Sequence, residues 1–322
     1  MATSPPDRPA PHHPRVWRTP SDGALPPGSV VAMGSFDGVH LGHQQVLARA
    51  AALAQELGGD LAALTFDPHP ARVLAPDLAP PLICPVTRRI ELLGEAGARH
   101  VVLLPFTREL AATTAEDFVA TILVGQLGAA GVVVGYDFTF GRGGRGTTTL
   151  LRELGARHGL AVAVVEPYHH EGILVSSTKV REFALSGRMY GAATLLGRPL
   201  ELSGTVVRGA GRGRVLGYPT ANVAVEEELL PARGIYAARA RVDHDAHFDA
   251  AVSVGTNPTF TVGTEVVVEA HLLDTQVDLY GRRLTLELVR RLRPERRFDS
   301  AEELTAQIAR DVLTVREILL KL

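Results

Sequence analysis

The sequence predicts an α/β protein in two parts, a doubly wound parallel sheet followed by a small antiparallel barrel. Three observations predict it. Apolar runs alternate with helically spaced segments in the first half, the alternation gives way near Leu202 to short strands separated by turns, and a glycine-rich junction with two histidines follows an early apolar run.

The first-half runs cover residues 30–33, 61–66, 100–106, 131–136 and 160–165, each the length of a buried strand. Helical spacing between them is clearest at Val46, Leu47, Ala50, Leu53, Ala54 and Leu57, then at Ile90 with Leu93 and at Phe118 with Ile122. In the second half, strands are expected at 204–208, 234–242, 250–254, 266–273 and 283–290, without helices between them. The segment 300–320 closes the chain as a helix, with Leu304, Ile308, Val312 and Ile318 on one stripe, Ser300 as N-cap and Glu303 three residues on. These elements divide the chain into a Pro-rich tail over 1–15, a first domain over 16–186, a linker over 187–199 around Gly187, Gly191 and Gly197, and a second domain over 200–322.

Composition narrows the function. With 33 basic and 35 acidic residues the net charge is −2, so any anion site must be local, and neither nucleic acid nor an anionic membrane is an expected partner. The single cysteine, Cys84, excludes an internal disulfide or a multi-cysteine metal cluster and fits a cytoplasmic location. No apolar run approaches the roughly 20 residues needed to span a bilayer, and the N-terminal segment lacks the apolar block of a secretory signal. A homo-oligomer is compatible with the sequence but not required by it.

The junction reads Gly34-Ser35-Phe36-Asp37-Gly38-Val39-His40-Leu41-Gly42-His43. Two imidazoles three positions apart at a helix start can both face an anion already favoured by free N–H groups and the helix dipole. Gly42 permits close approach of a ligand, and Gly34 and Gly38 permit backbone angles that other residues resist. Thr65-Phe66-Asp67-Pro68-His69-Pro70 ends a strand in a proline-stiffened turn, which could set Phe66 or His69 beside a planar ligand; an ordinary turn fits as well. In the segment 135–146, Asp137 and the aromatics Phe138 and Phe140 precede a Gly/Arg run suited to a flexible flap, a reading preferred over an RNA-binding segment. Ser177, Thr178 and Arg181 combine hydroxyls at a probable helix start with a cation returning to the same side, a phosphate-binding pattern.

The second half has its own landmarks. Gly209, Gly211 and Gly213, interleaved with arginines, precede Thr220 and Asn222, whose oxygens are hard ligands suited to Mg²⁺; the ordinary P-loop ending is absent. Strand alternation over 266–272 places Val266, Val268, Ala270 and Leu272 on one face and Glu269 with His271 on the other. A carboxylate there could take a proton from a substrate alcohol, although an exposed strand residue is the simpler reading.

Taken together, the first-half residues resemble the adenylyltransferase domain of bacterial bifunctional riboflavin kinase/FAD synthetases, among nucleotidyltransferases with a His-x-Gly-His signature. Residues 217–222, 255–260, 268–271 and 279–281, with Leu292-Arg293-Pro294-Glu295 and Phe298, resemble the riboflavin kinase module. The resemblance implies a Rossmann-like domain followed by a six-stranded barrel, and a two-step synthesis: riboflavin and ATP give FMN, then FMN and ATP give FAD and pyrophosphate. It implies that His40 and His43 stabilise phosphate charge, that Gly34, Phe36, Gly42, Asp137, Ser177, Thr178 and Arg181 form the nucleotide site, and that Phe66, Phe138 and Arg293 meet flavin. In the kinase half it implies Thr220 and Asn222 on Mg–ATP and Glu269 as the base; Gly209, Gly211 and Gly213 can by themselves turn backbone N–H groups toward phosphate oxygens, although a Gly/Arg surface loop fits nearly as well. Asp137 stands where some relatives have Asn, and Tyr218 where Phe is commoner. Two other readings remain at this stage: a first domain acting on another phosphorylated acceptor, and a flavin-binding sensor without turnover.

Overall fold

The computed structural model describes residues 13–19, 23–209, 212–226, 229–243, 246–256, 266–275 and 277–321. The chain forms two compact units, one from residues 1–81 with 86–175, the other from 82–85 with 176–322.

In the first unit six strands, β1 (Arg15–Trp17), β2 (Val30–Met33), β3 (Leu61–Asp67), β4 (His100–Pro105), β5 (Gly131–Gly135) and β6 (Ala161–Val165), form one sheet in the order β1-β4-β3-β2-β5-β6. Every pairing is parallel, so each connection is a crossover. The helices are α1 (Leu41–Glu56), α2 (Pro70–Leu74), α3 (Val86–Glu95), α4 (Arg108–Ala112), α5 (Ala115–Asp117), which continues as a π-helix over Phe118–Gln126, and α6 (Thr148–His158). α1 buries Val46, Leu47, Ala50, Leu53 and Ala54, the expected stripe, whereas Leu57 lies past its last turn and is exposed. The chain runs from β2 outward to β3 and β4, then returns to the other side of β2 for β5 and β6. The order therefore reverses at β2, and open parallel sheets bind ligands at the carboxyl ends beside such a reversal.

Of the expected tail, residues 1–12 lie outside the described residues, while β1 begins at Arg15 and pairs with β4. Three residues that begin with Arg15 and are followed by Arg18 carry too little pattern to be read as a strand. What holds them is tertiary: Trp17 Nε1 donates to His100 Nδ1 at 3.4 Å, and the Arg15 guanidinium stacks on the Trp17 ring at 4.1 Å. The hairpin β7 (His169–His170) with β8 (Ile173–Leu174) also lacks a readable pattern.

The second unit opens with α7 (Ser177–Leu185) and α8 (Met189–Leu196). Residues 187–199, the expected linker, thus contain a helix, which packs on α7 and on barrel strands β9 (Leu200–Val207) and β14 (Arg283–Arg293). With the short helix α9 (Arg212–Val215), β10 (Ala221–Val225), β11 (Gly234–Val242), β12 (Ala246–Thr256) and β13 (Val266–Leu272), these strands close an antiparallel barrel in the order β10-β13-β12-β11-β14-β9. β10 is the strand that periodicity missed, because it follows a loop rich in Gly and Pro and carries Asn222 within it. α10 (Ala301–Leu319) docks on the barrel through Val315 and Leu319 against Ala237 and Leu273.

Ser300 caps α10 as expected: its hydroxyl accepts the Glu303 N–H at 3.1 Å, and the Glu303 carboxylate accepts the Asp299 N–H at 3.4 Å. Ser300→Ala should lower the stability of the second unit by about 1 kcal/mol. Calorimetric melting with no shift in the transition of that unit would contradict the cap.

Candidate functional site

The turn after β2 is built under strain. Gly38 has φ of +79°, but Phe36 and Val39, at +50° and +41°, occupy the left-handed region that side chains disfavour. Burial holds them there: Phe36 and Val39 are each 1% exposed. The turn delivers His40 to the N-cap of α1, where its Nδ1 accepts the N–H of His43 at 3.2 Å. A neutral imidazole that accepts at Nδ1 carries its proton on Nε2, so His40 is a donor at that atom. The His40 and His43 rings lie face to face, centroids 3.6 Å apart and planes 15° from parallel, and Phe36 meets His43 edge-on at 5.2 Å.

Gly42 eases this stack, since a Cβ there would lie 3.2 Å from the His40 ring, which would have to give by a few tenths of an ångström, and 3.4 Å from the carbonyl oxygen of Val175. At Gly34 the φ is not positive, so its contribution is space beside the Phe36 ring rather than a left-handed turn. Phe36 itself supports His43 from below. Burial first, then the neighbouring His40 and the Arg89 guanidinium, hold the His43 imidazole well below its ordinary pKa. Its Nδ1 is buried without a hydrogen-bond partner. At neutral pH this is an uncharged imidazole at a helix N-terminus, where the backbone N–H groups and the dipole already favour phosphate.

Because β3, β2 and β5 are adjacent, their carboxyl ends bring Phe66, the histidine turn and Asp137 with Phe138 to one edge of the sheet. Phe66 is half-buried and packs edge-on against Phe106 at 5.4 Å. His69 instead caps α2, its Nδ1 accepting the Ala71 N–H at 3.2 Å, so Phe66 is the better partner for a planar ligand. Asp137 is exposed in the turn that the Phe138 N–H closes onto the Gly135 carbonyl. Phe138 stacks on Phe140, and two backbone hydrogen bonds between Phe140 and Gly146 tie the base of the loop expected as a flap. That loop is also held where Gly141 packs against the Ala115 backbone, leaving only its Gly143–Arg145 tip extended from the anchors.

Ser177, Thr178 and Arg181 lie on α7, in the second compact unit. Ser176, not either of them, is the N-cap, its hydroxyl accepting the Lys179 N–H at 3.3 Å. Capping therefore does not account for Ser177 or Thr178, which occupy the first two helical positions.

In the barrel a cleft of about 380 Å³ is lined by Thr220, Glu269, Tyr218, Arg293 and Phe298, among others. The register explains the grouping. Asn222 on β10 and Ser253 on β12 both stand opposite Glu269 on β13, and Thr220, two residues before Asn222, falls on the same face. Gly209 and Gly213 serve by lacking side chains: a Cβ at Gly209 would lie 2.0 Å from the Asn222 amide, and one at Gly213 would lie 2.3 Å from the Tyr218 carbonyl oxygen and 3.1 Å from Thr220 Oγ1. Gly211 and residues 257–260 lie outside the described residues. His271 Nδ1 hydrogen-bonds the Pro219 carbonyl at 2.8 Å and its ring meets Tyr218 edge-on, which fixes the approach to Thr220.

Arg293 lines the cleft, but its guanidinium is engaged by Asp311, with Nε at 3.0 and 3.1 Å from the two carboxylate oxygens and Nη2 at 2.7 Å from one. It shapes the cleft by tying α10 to β14. Sequence reading missed Asp311, although it lies seven residues before Ile318 on a helix whose other apolar positions face the barrel. It also missed Arg89, which sits three and four positions before Leu92 and Leu93 and is therefore a charge on the buried face of α3.

A family model for FAD synthetase matches residues 23–179, and one for riboflavin kinase matches residues 196–319. The bifunctional riboflavin kinase/FMN adenylyltransferase of Escherichia coli K12 is 36% identical over 290 residues, 90% of this chain and 92% of that protein. The protein of the same name from Bacillus subtilis is 35% identical, covering 88% and 90%. A crystal structure named for a macrolide-efflux protein of Streptococcus pneumoniae matches with a TM-score of 0.85 at 32% identity, covering 95% of this chain and 99% of that one. Among the described residues, no helix is long and apolar enough to cross a membrane.

The buried, neutral His43 makes stability depend on pH. Below its ordinary value of about 6.5 the unfolded imidazole takes up a proton that the folded one refuses, so protons favour unfolding. The first unit should lose stability as pH falls below about 6.5, until the depressed folded pKa is reached, and His43→Gln should flatten that dependence. Equal pH slopes for the parent and the variant in denaturant melts would rule this out.

Proposed function

Since this chain belongs to the family of bifunctional riboflavin kinase/FMN adenylyltransferases, and so phosphorylates riboflavin and adenylylates FMN, we propose that the histidine turn serves the second reaction and the barrel cleft the first. The observation that carries the proposal is the face-to-face His40/His43 pair at the N-terminus of α1, at the edge where the sheet order reverses. A phosphate oxygen of FMN attacks the α-phosphorus of ATP, and the bond to the β-phosphate oxygen breaks to release pyrophosphate. Neutral imidazole donors and helix N–H groups stabilise the charge that develops, so no covalent enzyme intermediate is needed. Phe66 and Phe138 are the proposed walls for the flavin, and Gly34, Phe36, Gly42 and Asp137 the nucleotide edge; Ser177, Thr178 and Arg181, on α7, are proposed as phosphate-binding residues.

In the cleft, the ribityl 5′-hydroxyl of riboflavin attacks the γ-phosphorus of ATP and ADP leaves, with Glu269 accepting the hydroxyl proton. Thr220 Oγ1 and the Asn222 amide oxygen are the proposed protein ligands of Mg²⁺. The site fits a cation that keeps most of its shell for water and phosphate: two hard oxygens share a face, Gly209 and Gly213 let the backbone pass close against them, and no cluster of three acidic or histidine ligands exists among the described residues. Mg²⁺, when bound, neutralises phosphate charge. The proposal includes a cytoplasmic location, supported by a sequence whose one cysteine, Cys84, excludes an internal disulfide. It assigns adenylyl transfer to residues 16–186 and kinase activity to 200–322, a division supported by where the two family matches end and begin.

Flavins resolved by chromatography after incubation with riboflavin, ATP and Mg²⁺ test both assignments. Glu269→Gln should lose riboflavin phosphorylation by about a hundredfold or more while still converting supplied FMN to FAD. Loss of both activities in a folded variant would contradict separate sites. The double variant His40→Ala/His43→Ala should accumulate FMN, and undiminished FAD would remove the histidines from the mechanism.

A further inference from the structure

Arg89 is the one large charged side chain in the first unit that α3 carries into the core. It is 1% exposed, in line with the buried Leu92 and Leu93. Its Nη1 donates to the Phe66 carbonyl at 3.1 Å and to Thr65 Oγ1 at 3.4 Å, and Thr65 Oγ1 donates in turn to the Ser35 carbonyl at 2.8 Å. Its Nε is buried without a partner, and no described carboxylate lies within ion-pairing distance. A guanidinium cannot relieve this by losing its proton. Burying an uncompensated cation is costly, and the cost would be avoided by an apolar residue of similar size unless an anion arrives to offset it.

Its surroundings say where that anion would be. The two acceptors, Thr65 and Phe66, form the carboxyl end of β3, and Ser35 opens the strained turn that delivers His40 and His43. The charge is also close enough to His43 to help hold that imidazole neutral.

We propose that Arg89 is a positioning residue for adenylyl transfer: it ties the end of β3 to the histidine turn through Thr65 and Ser35, and it sets a permanent positive charge behind the phosphate-binding edge. The charge is already oriented before the nucleotide binds, so it favours the transition state without reorganisation. This rests on the assignment of the histidine turn as the adenylyl-transfer centre.

The test measures kcat and KM for FAD formation from FMN and ATP in the full chain for Arg89→Met, Arg89→Lys, Thr65→Val and His40→Ala/His43→Ala, with melting curves for each. Arg89→Met should lower kcat at least about tenfold and leave the KM for FMN within about twofold; Arg89→Lys, which keeps the charge, should recover most of that loss, and Thr65→Val should show a smaller fall in kcat. A packing role would not be rescued by lysine. Arg89→Met with kcat within about twofold of the parent, or Arg89→Lys as impaired as Arg89→Met, overturns the proposal. If Arg89→Met melts as an unfolded first unit, Arg89→Lys decides: kcat near the parent supports the charge role, and a tenfold or larger fall overturns it. An inactive histidine variant beside an active Arg89→Met confines the failure to Arg89, whereas an active histidine variant removes the premise.

Discussion

At the start of α1 the His40 ring accepts the amide proton of His43 and lies 3.6 Å from the His43 ring, and most of the first unit is arranged to make that contact hold. β2 is buried along its whole length, which fixes where the chain leaves the sheet. The left-handed Phe36 and Val39 are then forced by burial, and Gly42 leaves room for the stack. A single Cβ at Gly42 would press on the His40 ring. The cap also decides the electrostatics: with Nδ1 of His40 already accepting a hydrogen bond, and His43 held below its ordinary pKa, the site offers donors without paired positive charges repelling one another.

The barrel solves the corresponding problem by register rather than by strain. In an antiparallel pair, side chains directly opposite share a face, so placing Asn222 across from Glu269 brings an amide oxygen and a carboxylate together with no special backbone. Thr220 joins them through the period of two. The loop before β10 must then pass close over these side chains, and Gly209 and Gly213 are the positions where it does. The Arg293–Asp311 pair closes the opposite wall by holding α10 to β14.

Legibility followed physical range. The parallel strands were readable because burial on both faces gives continuous apolar runs, and α10 because its stripe and its Ser300/Glu303 cap are local. The places of the His40/His43 turn at a helix start and of Glu269 on a strand were readable because chemistry-bearing residues stand at element boundaries or alternate within a strand. β1 and β10 were not, since three residues at a sheet edge and a polar Asn inside a five-residue strand are held by partners far away in sequence. Leu57 misled by continuing the α1 stripe one residue past the helix end. Arg89 was hidden for the opposite reason: charged residues on a helix are ordinarily solvated, and only the packed structure shows this one inside the core.

The two reactions differ in what their nucleophiles require, and the two scaffolds differ accordingly. An alcohol must lose its proton as it attacks, so the kinase half needs a positioned base, the part proposed for Glu269 on a strand facing the cleft. A phosphate monoester has its second pKa near 6 and is already an anion at neutral pH. Adenylyl transfer therefore needs no base; its difficulty is bringing one polyanion onto another. In the proposed site, neutral imidazoles, a helix N-terminus and the buried Arg89 cation ease that repulsion. In the proposed assignment, Glu269 in the barrel cleft and a pair of imidazoles at the start of α1 are thus two answers to one question about where the proton goes.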